Sequence, residues 1–281
     1  MSRQQTQRLA GILLTIAAAI AIIPIIVVIT FLLVNGLQAI SWEFLTQPPS
    51  NGMTEGGIMP AILGTIVLTL GTAIAAIPLA VGAAIYLAEY AGDTRFTRAI
   101  RLAIVNLAGI PSIVYGLFGL GVFVLFLEFG TSILAGSLTL GLMTLPVVIS
   151  TSEEAILAVP REFRLVSLSL GATQWQTIRN QVLPNALPGI ITGIILGLGR
   201  AAGETAPILF TVAAFYLPQL PKSILDQTMA LPYHLYVIST QVPGMPLEIQ
   251  YGTALILLFF VLSLTLVASV FRTIMRRRRV W

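Results

Sequence analysis

The chain has 281 residues, of which 57% are hydrophobic and 9% charged, against roughly 25% charged in an ordinary soluble domain. So apolar a chain, with a net charge of +4, excludes a soluble globular protein and points to an integral membrane protein. The absence of cysteine excludes disulfides, thiolate metal sites and a cysteine nucleophile, and the one histidine, His234, makes no metal cluster.

Along the chain, apolar runs lie near residues 9–34, 58–88, 102–127, 133–150, 187–213 and 250–271. A helix needs about 20 residues to cross roughly 30 Å of hydrocarbon, so these predict an all-α membrane protein with six transmembrane helices in one domain spanning 1–281. The fourth run is short, and the second is long enough to tilt or to kink at Pro78. Arg3 and Arg8 precede the first run as in a signal peptide. Its apolar stretch, however, exceeds the roughly 7–15 residues of a signal core, so it reads as a span.

Positive charge orients the spans. Arg3, Arg8, Arg95, Arg98, Arg101, Arg161, Arg164, Arg179, Arg272 and Arg276 to Arg279 fall in alternate segments, thirteen of the fifteen basic residues. The intervening segments hold only Lys222, against Glu43, Glu55, Glu128, Asp226 and Glu248. Lys and Arg are retained inside, which predicts a multi-pass membrane protein with both termini cytoplasmic. The basic excess then reflects topology and contact with membrane lipids, and nucleic acid is not an expected partner. The Arg276–Arg279 run reads as a stop-transfer anchor against anionic headgroups.

The inner segment 151–186 has signals for structure of its own. Pro160 can open a short helix, Gly171 suits a tight turn, and Thr173-Gln174-Trp175-Gln176 fits a capping box. The result is a helix-turn-helix whose apolar residues, Leu165, Leu168, Trp175, Ile178 and Val182, need cover. The bilayer surface and a docked protein are equally good sources of it.

Arg200 and Glu204 stand inside the fifth run, in Gly199-Arg200-Ala201-Ala202-Gly203-Glu204-Thr205-Ala206-Pro207. Their i,i+4 spacing allows an ion pair, and Arg200 sits roughly 20 Å into the core, beyond snorkelling depth. A charge at the helix centre costs about 2.5–3.5 kcal/mol on insertion scales, so a role must offset it. Two roles fit: a pair that fixes helix register, and a polar translocation path. Gly199 and Gly203 allow close approach of another helix, and Pro207 frees a carbonyl.

No cluster of His, Cys or carboxylates supports catalysis, so an enzyme is not expected. Nor does the chain carry the G-x-x-x-x-G-K-[ST] phosphate loop of an ATPase, since its single lysine, Lys222, follows Pro221. The chain has no cofactor of its own in this reading, and any use of ATP needs another subunit.

The residues resemble the permease subunits of bacterial ATP-binding-cassette importers over nearly the whole chain. That family's loop carries E-A-A-x3-G-x9-I-x-L-P; here Gly171 takes the glycine position and Leu183-Pro184 closes the motif, whereas Leu165-Val166-Ser167 replaces Glu-Ala-Ala and Gln181 the isoleucine. More specific are Asn106-Leu107-Ala108-Gly109-Ile110-Pro111-Ser112-Ile113-Val114-Tyr115-Gly116, Leu145-Pro146, and Arg200 to Pro207. These resemble the A-type permeases of phosphate importers.

The resemblance implies a type I, MetI-like permease of six helices with a cytoplasmic coupling helix. It implies as partners a homologous C-type permease, two ATPase subunits that bind ATP and Mg, and a periplasmic or lipid-anchored phosphate-binding protein. Gly171, Ala172, Trp175, Leu183 and Pro184 then belong to the ATPase-coupling region, and Arg200, Glu204 and Thr205 to the substrate path. Arg200 offers a donor fork to phosphate oxygens, Glu204 holds or releases it, and Thr205 adds a neutral donor. The alternatives are a permease for phosphonate, molybdate or sulfate, and an ATP-independent channel or secondary transporter.

Overall fold

The computed structural model describes residues 3–277, so the Arg278–Arg279 end of the C-terminal arginine run lies outside the described residues. Helix α1 spans Arg3–Gly36 and a short α2 spans Trp42–Thr46. A two-stranded antiparallel ribbon follows, β1 Pro49–Ser50 against β2 Glu55–Gly56. Then come α3 Met59–Ile85, α4 Arg95–Ala108, α5 Ser112–Gly119, α6 Ile133–Leu157, α7 Arg161–Ser169 and α8 Gln174–Thr177. The chain closes with α9 Leu183–Gly203, α10 Ala206–Thr211, α11 Leu231–Thr240 and α12 Leu247–Arg277. Wider, π-wound turns extend α3 over Tyr86–Tyr90, α5 over Leu120–Phe126 and α8 over Ile178–Val182.

Among the described residues, five helices are long and apolar enough to cross a membrane: Gly11–Ala39, Met59–Tyr90, Ile133–Leu157, Gln174–Gly203 and Leu247–Ile274. A sixth candidate is a bent pair, α4 with α5 and its extension, whose axes meet at 102°. The apolar run over 102–127 is therefore bent within its length. Pro111 supplies no backbone N–H and disfavours helical backbone at Ile110, so α4 stops at Ala108 and α5 restarts beyond the proline.

Two further boundaries differ. Helix α6 continues past residue 150 to Leu157, absorbing the first part of the segment read as an inner loop. The run over 187–213 is broken: α9 ends at Gly203, Glu204 is extended with ψ 133°, and α10 restarts with Pro207 in its first turn. A proline ring clashes with the carbonyl four residues earlier in a continuous helix, here that of Gly203, which favours an interruption at this point.

The core is formed by α3, α6 and α9. Buried hydroxyls lie between these helices, but Thr65, Thr69, Thr72 and Thr139 each donate to a carbonyl one turn back, at 2.7–2.8 Å, so their burial costs little. Helix α1 stands apart, exposed over most of its length. It meets α12 near its end, where Phe31 packs edge-on against Tyr251 at 5.2 Å and Gly36 lies against the Tyr251 carbonyl.

The loops sort to two ends of the bundle. At one, the 213–228 segment is pinned to the start of α6 by Ile133 N–H to the Asp226 carbonyl and Leu134 N–H to that of Ile224, both 2.9 Å. Tyr216 reaches across to the Pro49 carbonyl. Backbone N–H groups of Lys222 and Ser223 donate to the Asp226 carboxylate and hold its pKa below the ordinary range. The other end gathers Arg101 and Arg164 with Leu87, Glu89 and Glu153.

Candidate functional site

Arg200 occupies the last turn of α9, and its Nε donates to Oε1 of Glu204 at 3.1 Å. The predicted pair is formed, although Glu204 has already left the helix. Its side chain retains 18% exposure while that of Arg200 retains 41%. No described residue accepts from the Nη groups of Arg200, so the guanidinium keeps donors free on its open side. Glu204 also lines a void of about 10 Å3 with Thr65 and Thr69 of α3 and Leu140 of α6. Such a void is near the minimum for one water and far too small for an oxyanion. Thr205 precedes α10 and caps it with no side-chain hydrogen bond. A Cβ added to Gly203 would meet nothing within 4 Å, and one on Gly199 would make only ordinary contact with Thr265 of α12, so neither is a crossing point within this chain.

The three sequence segments singled out as specific converge here. A Cβ on Gly116 of α5 would lie 3.0 Å from both the Ala206 carbonyl oxygen and Pro207 Cα, so only glycine lets α5 approach the break this closely. Tyr115 donates to the Leu107 carbonyl at 2.9 Å, bracing the α4–α5 bend, and lies within electrostatic reach of Arg200. Leu145 and Pro146 line the same apolar cleft of about 290 Å3 as Ile110, Val114 and Tyr115.

A second candidate region, at the arginine-rich end, is the α7–α8 hairpin. Its turn is a Schellman motif: Ala172 N–H to the Ser167 carbonyl, 3.2 Å, and Gly171 N–H to that of Leu168, 3.0 Å, with Gly171 at φ +83°. Thr173 then caps α8. Its hydroxyl accepts from Gln176 N–H at 3.2 Å while Gln176 Oε1 accepts from Thr173 N–H at 2.8 Å, the reciprocal box the sequence suggests. The apolar residues needing cover divide. Ile178 and Val182 are buried within the chain, whereas Leu165, Leu168 and Trp175 stay exposed, joined by Val166 and Leu170. A groove of about 470 Å3 runs beside them, lined by Glu162, Val166, Leu170, Ala172 and Gln176. Leu183 packs inward and Pro184 opens α9, so these two shape the region from below.

Two ion pairs at this end join segments far apart in the sequence and were not readable from it. Arg101 Nε donates to Glu153 Oε1 at 2.8 Å, and Arg164 grips Glu89 through both Nε and Nη2. Their arginines registered only as topology signals. The partners stand 52 and 75 residues away, a distance at which no periodicity links them.

Among the described residues no group of His, Asp and Glu could hold a metal ion. The profile of the family described as binding-protein-dependent transport system inner membrane component matches residues 76–281. This chain belongs to that family. A probable ABC transporter permease protein of Bacillus subtilis (strain 168), YqgI, is 33% identical over 253 residues, 86% of this chain and 86% of its own. The phosphate transport system permease protein PstA 1 of Mycobacterium tuberculosis (strain CDC 1551 / Oshkosh) is 34% identical over 265 residues, covering 92% and 86%. Among solved structures, a chain of a bacterial ABC transporter importing the acidic polysaccharide alginate matches with TM-score 0.67 at 15% identity, covering 98% of this chain and 96% of its own. A chain of the inward-facing MetNI methionine ABC transporter gives 0.59 at 16%, covering 78% and 94%. The fold is that of a MetI-like importer permease, and the permease is a transport subunit rather than an enzyme.

Proposed function

We propose that this permease carries inorganic phosphate inward across the bacterial cytoplasmic membrane, as one half of an ATP-driven importer. The single observation that carries the substrate is Arg200, a guanidinium with free donors beside a break in a membrane helix. Phosphate cannot cross bare hydrocarbon, and a planar donor fork matches its oxygens. Phosphate-transport permeases among the relatives support the same anion. Because the void inside the chain is too small, the path runs along the open side of Arg200 and is completed by a second, C-type permease. Glu204 repels phosphate, so its part is to hold Arg200 until substrate displaces it, with Thr205 as a neutral donor beside the break.

ATP and Mg belong to two separate ATPase subunits, which dock on the exposed Leu165, Leu168, Leu170 and Trp175 of the α7–α8 hairpin. A periplasmic or lipid-anchored binding protein delivers phosphate at the opposite end, in this reading the outer one. Orientation is tested first. Because the sequence has no cysteine, cysteines introduced singly at Ser50 and Ser223 should react with an impermeant thiol reagent from outside, and those at Thr94 and Gln174 should not. All four side chains belong to exposed residues, so reaction of Thr94→Cys from outside would invert the topology. The anion is tested by which loaded binding protein stimulates ATP hydrolysis by the assembled complex. Stimulation by sulfate or molybdate in place of phosphate would reassign the substrate.

A further inference from the structure

Glu89 is held from two sides by the hairpin that we assign to ATPase docking. From α7, Arg164 donates Nε to both carboxylate oxygens, at 3.0 and 3.2 Å, and Nη2 to Oε1 at 2.5 Å. From α8, Gln174 Nε2 donates to the Glu89 backbone carbonyl at 2.8 Å. Arg164 also reaches the last turn of α6 and the residues just after it: Nη2 the Ile156 carbonyl at 2.9 Å and Nη1 that of Val159 at 2.7 Å. The pair is among the least exposed charges described, with side-chain exposures of 19% for Arg164 and 8% for Glu89.

Glu89 lies in the π-wound end of α3. At the far part of that helix, about 30 Å away at the usual rise, Thr65 and Thr69 line the void shared with Glu204. One continuous helix therefore has its end gripped by the docking hairpin and its other part beside the void that Glu204, the partner of Arg200, also lines. A buried ion pair adds little net stability compared with apolar packing of the same volume. What a bidentate fork adds is fixed geometry, since it holds direction and register, whereas an apolar contact is non-directional and can slide.

We propose that Glu89 is where movement of the docking hairpin passes into α3, with Arg164 and Gln174 as its grips. The proposal rests on the transport reading above and adds the residues that transmit the stroke. Neither grip touches substrate; both act by positioning α3.

The test is the number of phosphate ions taken up per ATP hydrolysed by the complete assembly in proteoliposomes. Glu89→Gln should lower that ratio about tenfold, the scale of an ordinary coupling between distant sites. Because the single change leaves Arg164 unpaired, Glu89→Gln with Arg164→Gln is measured beside it and should be equally uncoupled. Gln174→Ala, at an exposed residue that leaves the ion pair intact, should lower the ratio about threefold by the same logic. A purely structural role would reduce the amount of assembled complex and leave the ratio unchanged, so wild-type ratios in the assembled variants overturn the proposal. Wild-type complex that takes up phosphate without ATP would instead overturn the transport reading, and the linkage with it.

Discussion

Arg200→Met combined with Glu204→Gln should give a permease that folds and assembles like the parent and yet takes up phosphate at least about a hundredfold more slowly, the scale expected when a charged donor in a binding path is lost. The paired change is required because either single substitution strands a charge, and an unpaired charge at the centre of a membrane helix costs about 2.5–3.5 kcal/mol, which confuses folding with transport. With both charges gone the register of α9 is relieved of that penalty. The donor fork is gone too. If the pair merely fixed the break, stability and uptake would recover together. Arg200→Lys is the graded control: it keeps the charge and loses the planar fork, so uptake should fall between the wild type and the double variant. Uptake is measured per assembled complex, with thermal unfolding of the purified assembly as the stability readout.

The second large effect belongs to the docking hairpin. Gly171→Leu should weaken ATPase association and coupled hydrolysis about tenfold, because a side chain at φ +83° costs about 1–2 kcal/mol and loosens the turn that orients α8. The space around Gly171 is open, so the effect is one of backbone conformation rather than collision. Gly171→Asn, a residue that tolerates left-handed backbone, should keep most of the coupling. Trp175→Ala, by contrast, leaves the turn intact and removes an exposed aromatic anchor. It should reduce ATPase co-purification about thirtyfold if Trp175 fills a pocket on the partner, the scale of an interface hot spot. Equal co-purification by Gly171→Leu, Trp175→Ala and the wild type would place the ATPase elsewhere.

Local chemistry carried the legible part of this molecule. The apolar runs are long because each helix must satisfy its backbone within the hydrocarbon, and the Thr173–Gln176 box and the Gly171 turn involve residues only a few positions apart. The Arg200–Glu204 pair was readable for the same reason, at four residues' spacing. The α4–α5 bend had a local signal as well, Gly109-Ile110-Pro111, which an average over the apolar run smooths away. Distant pairing was beyond reach. Helix α6 looked finished at residue 150 because Thr151, Ser152 and Glu153 are polar, but Arg101 covers the Glu153 charge and the helix continues. Similarly, Glu89 and Arg164 acquire their meaning only when the hairpin folds back on α3. The exposed face of α1 and the open side of Arg200 have no cover among the described residues, so nothing within this chain explains them.

The most direct measurement is uptake of radiolabelled phosphate into proteoliposomes holding the complete assembly, with the phosphate-loaded binding protein outside and ATP sealed inside. Phosphate import by this permease predicts accumulation that requires ATP, that unlabelled phosphate suppresses and that sulfate and molybdate do not. Accumulation without ATP, or uptake that follows sulfate or molybdate instead of phosphate, would contradict it.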